Sequence, residues 1–229
     1  MTKKNDEDDF IYFRYGIGLD IGQQNDPSAV AVVKKSWKFV KDRTETKTIF
    51  KYHCGYLKRW KLKTKFHDVI EDTKTLYNDE AFIGQVKHNG KWSVFRPTLA
   101  IDATGLGLPI VEEILSSRST INAFGIVITG GHKYSRQPGR MYHVPKKDLI
   151  HGITTGLQKR ILTISKDLTE APAMLKELED FRAIATTAGG EKLEHRSSAH
   201  DDLTLSLGMA IFILDRSTIQ AESSPLFWK

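Results

Sequence analysis

Hydrophobic and polar residues alternate in short blocks along the chain, and the spacing within each block predicts strands and helices in turn. Three β-type runs come first, at residues 15–20, 30–35 and 48–57. The aromatic residues of the third run, Phe50, Tyr52 and Tyr56, are expected to share one face. Apolar residues then follow a helical spacing from Phe66 to Leu76. The first third of the chain therefore predicts a three-stranded meander followed by a helix.

After residue 88 the chain alternates between strand and helix patterns, starting with an Asn-Gly pair at residues 89–90 that predicts a hairpin. Pro145 suits the first turn of a helix, and residues 186–192 are typical of a turn between two short strands. Further strands are predicted at residues 98–102, 123–128 and 161–165, and helices at residues 108–117, 145–160, 169–182 and 201–215. This order predicts an α/β fold, in which an antiparallel meander is continued by parallel strands into a mixed sheet with helices on both faces.

The composition is that of one globular domain with a modest excess of basic residues. The chain has 229 residues, and 34 Lys and Arg against 28 Asp and Glu give a net charge of +6, which is compatible with a polyanionic partner. Cys54 stands alone, so an intrachain disulfide and a cysteine-only metal site are excluded. Neither a signal peptide nor an apolar run of membrane-spanning length is visible. We therefore expect a soluble protein of a reducing compartment.

Carboxylates stand at the ends of apolar elements in three places. Asp20 ends the first strand, Asp102 ends the strand at residues 98–102, and Asp201 and Asp202 open the last helix. Sites in such sheets form where the carboxyl ends of the strands meet. A buried carboxylate is costly without a cation, and no basic residue lies within four positions of Asp20 or Asp102. Oxygen ligands favour Mg²⁺ or Mn²⁺, so we predict a site for two such ions, roughly 3.5–4 Å apart as in two-metal phosphodiester hydrolysis.

These acids are not equally strong candidates for metal ligands. A strand-end Asp is also typical of a turn former, as at Asp102, and Asp201 sits where a helix N-cap belongs. Asp26 lies in an ordinary turn sequence and is the weaker candidate, as a second-metal ligand or a residue behind one. Adjacent helical residues point in different directions, and Asp202 shares a mostly apolar helix face with Leu205, Ser206, Met209 and Ile213. We therefore predict Asp202 as the main ligand and Asp201 as an assisting one.

The three acidic segments together resemble the nuclease domain of phage terminase large subunits, the DNA-packaging motor proteins of tailed viruses. The matching residues are Asp20-Ile21-Gly22 with Asp26-Pro27-Ser28-Ala29, then Asp102-Ala103-Thr104-Gly105, then His200-Asp201-Asp202. The resemblance implies a ribonuclease-H-like fold and a metal-dependent endonuclease that cuts double-stranded DNA with little sequence preference. It also implies an upstream packaging ATPase domain, a portal protein and a small terminase subunit as partners, and a place of action in the host cell cytoplasm.

The resemblance also suggests how the chain is divided. Residues 10–217 would form the ribonuclease-H-like nuclease domain, residues 1–9 an acidic tail or linker remnant, and residues 218–229 a C-terminal tail. This chain carries no G-x-x-x-x-G-K-[ST] sequence, so the ATPase that such motors need is not encoded within it.

A basic segment without any acid runs from residue 130 to residue 147. Because it follows a strand, we expect it to project near the carboxylates as a loop that follows DNA phosphates, although a solvated basic loop has the same composition. Its candidate DNA-binding residues are Lys133, Arg136, Arg140, Lys146 and Lys147.

Three other functions fit parts of the same pattern. A Holliday-junction-resolvase-like nuclease differs only in its substrate. Residues 16–33 also resemble the phosphate-binding hairpin of the actin, sugar-kinase and heat-shock-chaperone ATPases, although those proteins need a second nucleotide-binding half. A catalytically inactive DNA-binding or motor-docking module would not require the acids. Cleavage with and without a divalent ion separates these alternatives.

Overall fold

The computed structural model describes residues 12–22, 26–42, 45–88, 91–105, 107–116, 120–187 and 200–216. Its strands are β1 (Tyr12–Asp20), β2 (Ala29–Asp42), β3 (Glu45–Arg59), β4 (Gly84–His88), β5 (Lys91–Phe95), β6 (Thr98–Asp102), β7 (Ala123–Thr129), β8 (Ser135–Gln137), β9 (Met141–Pro145) and β10 (Leu162–Ile164). Its helices are α1 (Phe66–Asn78), α2 (Gly107–Ser116), α3 (Lys146–Gln158), α4 (Ala171–Thr187) and α5 (Asp202–Arg216). A short 3-10 turn, Glu80–Phe82, precedes β4.

The strands form one mixed sheet in the order β10-β3-β2-β1-β6-β7-β9-β8, with β4 pairing to β1 and β5. Strands β1, β2 and β3 are the predicted antiparallel meander, and β1, β6, β7 and β9 run parallel to one another. The mixed sheet predicted from the sequence is therefore confirmed. The meander strands are longer than predicted, because polar residues continue the pairing of β2 and β3 beyond their apolar centres.

Helices cover both faces of the sheet, as predicted. Residues of α3, α4 and α5 form a buried cluster on one face, and residues of α1 and α2 form another on the opposite face. Helix α5 is buried on every side from Asp202 to Asp215, because it lies between the sheet and the two outer helices. Its C-terminal end is held by Asp215, which accepts hydrogen bonds from Lys35 and Tyr52. No helix in the described ranges is long and apolar enough to cross a membrane.

A β-bulge shifts the register of β2 and β3 between Val32 and Val33. Val32 pairs with Tyr56 whereas Val33 pairs with Cys54, so one extra residue stands in β3. An inserted residue moves all later side chains to the opposite face. Tyr56 consequently packs in the α1–α2 cluster, while Phe50 and Tyr52 pack in the α5 cluster, and the prediction that the three share one face is wrong.

The basic segment at residues 130–147 is not a simple loop. It contains β8 and β9, which pair antiparallel, and β9 also joins the sheet beside β7. The apolar residues of β9 are only Met141, Tyr142 and Val144, which is too short a run to stand out among the basic residues. Pro145 ends β9 and occupies the N-cap of α3, one position before the predicted first turn.

Several predictions fall on residues outside the described ranges. These are the tails at residues 1–9 and 218–229, the Asn-Gly pair at residues 89–90 and most of the turn at residues 186–192. The strands on either side of residues 89–90 are described, and β4 pairs antiparallel with β5 as a hairpin requires.

Candidate active site

Asp20 and Asp102 lie side by side at the carboxyl edge of the sheet. Leu19 pairs with Ile101 in the parallel β1–β6 ladder, so the two acids that follow are neighbours. Asp20 is 6% exposed, and its carboxyl group shares a hydrogen bond with that of Asp102. Asp102 Oδ1 also accepts the backbone N–H of Thr104 at 2.8 Å. Asp102 therefore stabilises the turn that follows β6, which is the turn-forming role considered above. Its carboxyl group also faces Asp20.

The N-terminus of α5 brings the second pair of acids to the same edge. Asp202 is the first helical residue and is 5% exposed. Asp201 occupies the N-cap position, since its carbonyl accepts the N–H of Leu205 at 2.8 Å. The charges of Asp201 and Asp202 both raise the pKa of Asp20, as does that of Asp102, so the four carboxylates are close enough to interact. Asp202 and Ser206 lie one helical turn apart on one face, and Ser206 lies directly over Gly18 of β1.

Lys146 and His200 connect this edge to neighbouring segments. Lys146, the first residue of α3, forms an ion pair with Asp201. His200 Nδ1 lies 3.3 Å from Asp26 Oδ1, and both side chains are about half exposed. Asp26 thus lies beside the α5 N-terminus rather than among the buried acids.

Two residues of this site have no signal in the sequence patterns. Arg59 ends β3, and its Nε lies 3.6 Å from Asp202 Oδ2. Its Nη2 forms an ion pair with Glu177 of α4, a carboxylate that is 7% exposed. Glu177 Oε2 also accepts hydrogen bonds from the backbone N–H and the hydroxyl of Thr204, at 2.9 and 3.0 Å. Asp202 therefore has a cation of the protein beside it, whereas the sequence argument concerned only the residues adjacent to Asp20 and Asp102 along the chain.

Burial and mutual repulsion make these acids weak. Burial, reinforced by the charges of Asp102, Asp202 and Asp201, raises the pKa of Asp20 well above its ordinary value. Burial also raises the pKa of Asp102, although the hydrogen bonds from Thr104 oppose it. Burial raises the pKa of Asp202 to about 6, with Arg59 opposing the rise. The carboxylates are therefore only partly compensated by the protein's own cations.

The fold has a known counterpart. This sequence matches no protein-family model and no curated protein. In a comparison of solved structures, the large terminase nuclease from thermophilic phage G20c matches with a TM-score of 0.50 and 20% sequence identity, over 86% of this chain and 81% of that chain. The chain has a ribonuclease-H-like fold. The resemblance carried by the three acidic segments is confirmed at the level of the fold.

The donors at the edge of this ribonuclease-H-like sheet suit a hard divalent cation in their chemistry. Asp20, Asp102 and Asp202 offer only oxygen ligands, and Asp202 Oδ2 is buried without a hydrogen-bond partner. Within the described residues, however, no three His, Cys, Asp or Glu side chains are already grouped around one position. An ion would therefore have to replace the hydrogen bond between Asp20 and Asp102 and compete with Arg59 for Asp202.

The five predicted DNA-binding residues do not lie together. Lys133, Lys146 and Lys147 follow the ends of β7 and β9 and so lie at the same edge as the acids. Lys147 Nζ is 3.0 Å from His132 Nδ1. Arg136 is exposed on β8. Arg140 directly precedes β9, whose first residue Met141 is level with Gly125 of β7 and Ile101 of β6, and its guanidinium lies over the Phe124 ring.

The unfolding free energy of the metal-free protein should fall as the pH rises from about 4 to above 6. Asp202 binds its proton more tightly in the folded chain, so its contribution is present below its ordinary pKa and is lost as the pH passes its folded pKa. A rise from 3.8 to about 6 is worth at most about 3 kcal/mol. Melting curves in EDTA would test this, with Asp202→Asn giving a flatter profile than the native chain. A native profile no steeper than that of Asp202→Asn would contradict it.

Proposed function

We propose that the chain is a divalent-metal-dependent endonuclease that cuts double-stranded DNA by two-metal phosphodiester hydrolysis. The observation that carries the proposal is the meeting of Asp20, Asp102 and Asp202 at the carboxyl edge of a ribonuclease-H-like sheet. The fold neighbour is itself named a large terminase nuclease, which favours this reaction over other chemistry at such a site.

Each residue of the site would have a separate role in binding the ions or the DNA. Asp20, Asp102 and Asp202 would hold the ions, with Asp201 assisting and Asp26 standing at the rim. Bound Mg²⁺ or Mn²⁺ would supply a water of lowered pKa and stabilise the leaving oxygen, so a side-chain base is not required. Lys146 lies beside these acids through its ion pair with Asp201, where it would also meet a DNA phosphate.

The biological setting follows from the same likeness. We place the chain in a viral genome-packaging terminase, as the part that cuts concatemeric or headful DNA. Its partners would be double-stranded DNA, an upstream packaging ATPase domain, a portal protein and the small terminase subunit, in the host cell cytoplasm.

The decisive experiment is cleavage of supercoiled plasmid by the purified chain. Cutting should require Mn²⁺ or Mg²⁺, with Mn²⁺ at least as effective, because the ligands are all oxygen. Undiminished cutting in excess EDTA would refute the metal-dependent reaction, and no cutting with either ion would favour an inactive DNA-binding module. Preferential cutting of four-way junctions would support the resolvase alternative, and ATP hydrolysis the chaperone-like one.

The position of the basic residues predicts which of them hold DNA. Replacing Lys133 and Lys147 by Ala should weaken binding to unrelated duplexes to a similar degree and lower the salt slope by about 1 per lysine, because phosphate contacts release counterions. Lys159→Ala, exposed at the end of α3 opposite Lys146, is the matched control and should change binding less. Fluorescence anisotropy at several salt concentrations would measure both effects. A larger loss in the Lys159 variant would place DNA at the far end of α3 instead.

A further inference from the structure

We propose that Arg59 is a built-in counter-ion of Asp202 and that Glu177 holds it back from that carboxylate. In this arrangement the Arg59–Glu177 pair sets how readily the site accepts a divalent cation. The inference deepens the proposed function and rests on it, because it concerns the same carboxylates.

The contacts of Arg59 place it between two acids without satisfying both. Its Nη2 is bonded to Glu177 Oε1, whereas its Nε remains 3.6 Å from Asp202 Oδ2, too far for a hydrogen bond. Both Arg59 Nε and Asp202 Oδ2 are buried, and neither has a hydrogen-bond partner. Buried polar atoms normally have hydrogen-bond partners. The facing Arg59 Nε and Asp202 Oδ2 are therefore a near contact in which the hydrogen bond is not formed.

Glu177 is well placed to hold the arginine in this position. Its other oxygen accepts both the N–H and the hydroxyl of Thr204, in the first turns of α5. The Glu177 carboxylate is therefore fixed to α5, the helix that carries Asp202. Its position relative to Arg59 is fixed as a consequence. Asp202 keeps one unpaired oxygen as a result, and an unpaired carboxylate oxygen is what an incoming cation needs.

Removing the charge of Glu177 should shift Arg59 onto Asp202. The Arg59 guanidinium would then have Asp202 as its one charged partner. The 3.6 Å distance between Arg59 Nε and Asp202 Oδ2 would shorten to a charge-assisted hydrogen bond. A divalent ion would then have to displace that bond. Partners behind metal ligands typically change metal affinity by 10–100-fold when they are altered, so we expect at least about a tenfold loss.

The experiment is calorimetric titration of Mn²⁺ into the 229-residue chain without DNA, at pH 7.5, together with melting temperatures. Glu177→Gln should weaken Mn²⁺ binding about tenfold or more. The double variant Arg59→Gln/Glu177→Gln removes both charges and should bind Mn²⁺ at least as tightly as the native chain, even if it melts earlier. Glu179→Gln, exposed on the same helix, is the matched control and should leave both readings unchanged.

The outcomes separate this inference from the proposed function. A pair that serves only stability would make Mn²⁺ affinity follow the melting temperature, so weakened binding in the double variant would overturn the inference. Unchanged affinity in Glu177→Gln would overturn it too. Should Glu177→Gln fail to fold, the double variant alone still decides. No Mn²⁺ binding by the native chain would instead refute the proposed metal-dependent function itself.

Discussion

Asp20→Asn should abolish DNA cleavage, lowering the single-turnover rate at fixed Mn²⁺ by at least about 10³-fold. Asp20 lies at the centre of the site, where it bonds Asp102 and feels the charges of Asp201 and Asp202. Metal ions contribute several kcal/mol of transition-state stabilisation, and each 1.36 kcal/mol is a factor of about ten in rate. The neutral amide of Asn would not replace the negative charge that the proposed ion requires.

Asp202→Asn should be as damaging as Asp20→Asn, whereas Asp201→Asn should keep part of the activity. Asp202 is buried on the line of α5 that lies over β1, while the Asp201 carboxylate is drawn to Lys146 at the rim. Asn also remains an effective N-cap, so Asp201→Asn should leave the start of α5 intact.

Single-turnover rates of the three variants would test both expectations. Asp72→Asn is the control, because Asp72 is an exposed carboxylate on α1, on the opposite face of the sheet. Equal and total loss in the Asp201 and Asp202 variants would make both acids direct ligands. Full activity in Asp202→Asn would mean that α5 presents a different face to the sheet.

The features that could be predicted from the sequence are those that depend on the local spacing of apolar and acidic residues within single strands and helices. Asp20 and Asp102 each follow an apolar strand, and parallel pairing then brings the strand ends together without further information. Asp202 was predicted from the mostly apolar helix face that it shares with Leu205 and Met209, and the structure buries that face together with every other face of α5. These elements needed only periodicity and the topology rules for α/β folds.

Arg59 and Glu177 could not be predicted, because they are separated by 118 residues and meet only through tertiary packing. The bulge in β3 decides which face Arg59 occupies, and a bulge of one residue leaves no clear trace in an alternating pattern. If β3 alternated regularly from Tyr52 onward, residue 59 would fall on the α1–α2 face, away from Asp202. The β8–β9 hairpin was missed for a related reason, since its short strands are paired by their backbone rather than by an apolar run.

Gly18→Ala should destabilise the fold and impair the site together. A Cβ at Gly18 would lie 2.0 Å from the carbonyl oxygen of Ser206 and 2.7 Å from the N of Ala210, both backbone atoms of α5. Backbone cannot yield by changing rotamer, so the whole helix must move outward. Overpacking of this kind costs about 3 kcal/mol, which for a domain of this size lowers Tm by about 10 °C.

The same displacement would reach the chemistry, because β1 carries Asp20 and α5 carries Asp202. Moving α5 away from β1 separates the two carboxylates, so cleavage should fall more than the loss of folded protein accounts for. Gly130→Ala is the matched control, because a Cβ there meets no atom within 4 Å. Melting curves and cleavage rates below the Tm of the variant would distinguish the two effects. A Gly18→Ala chain with native stability would mean that α5 does not lie on β1 as closely as the structure places it.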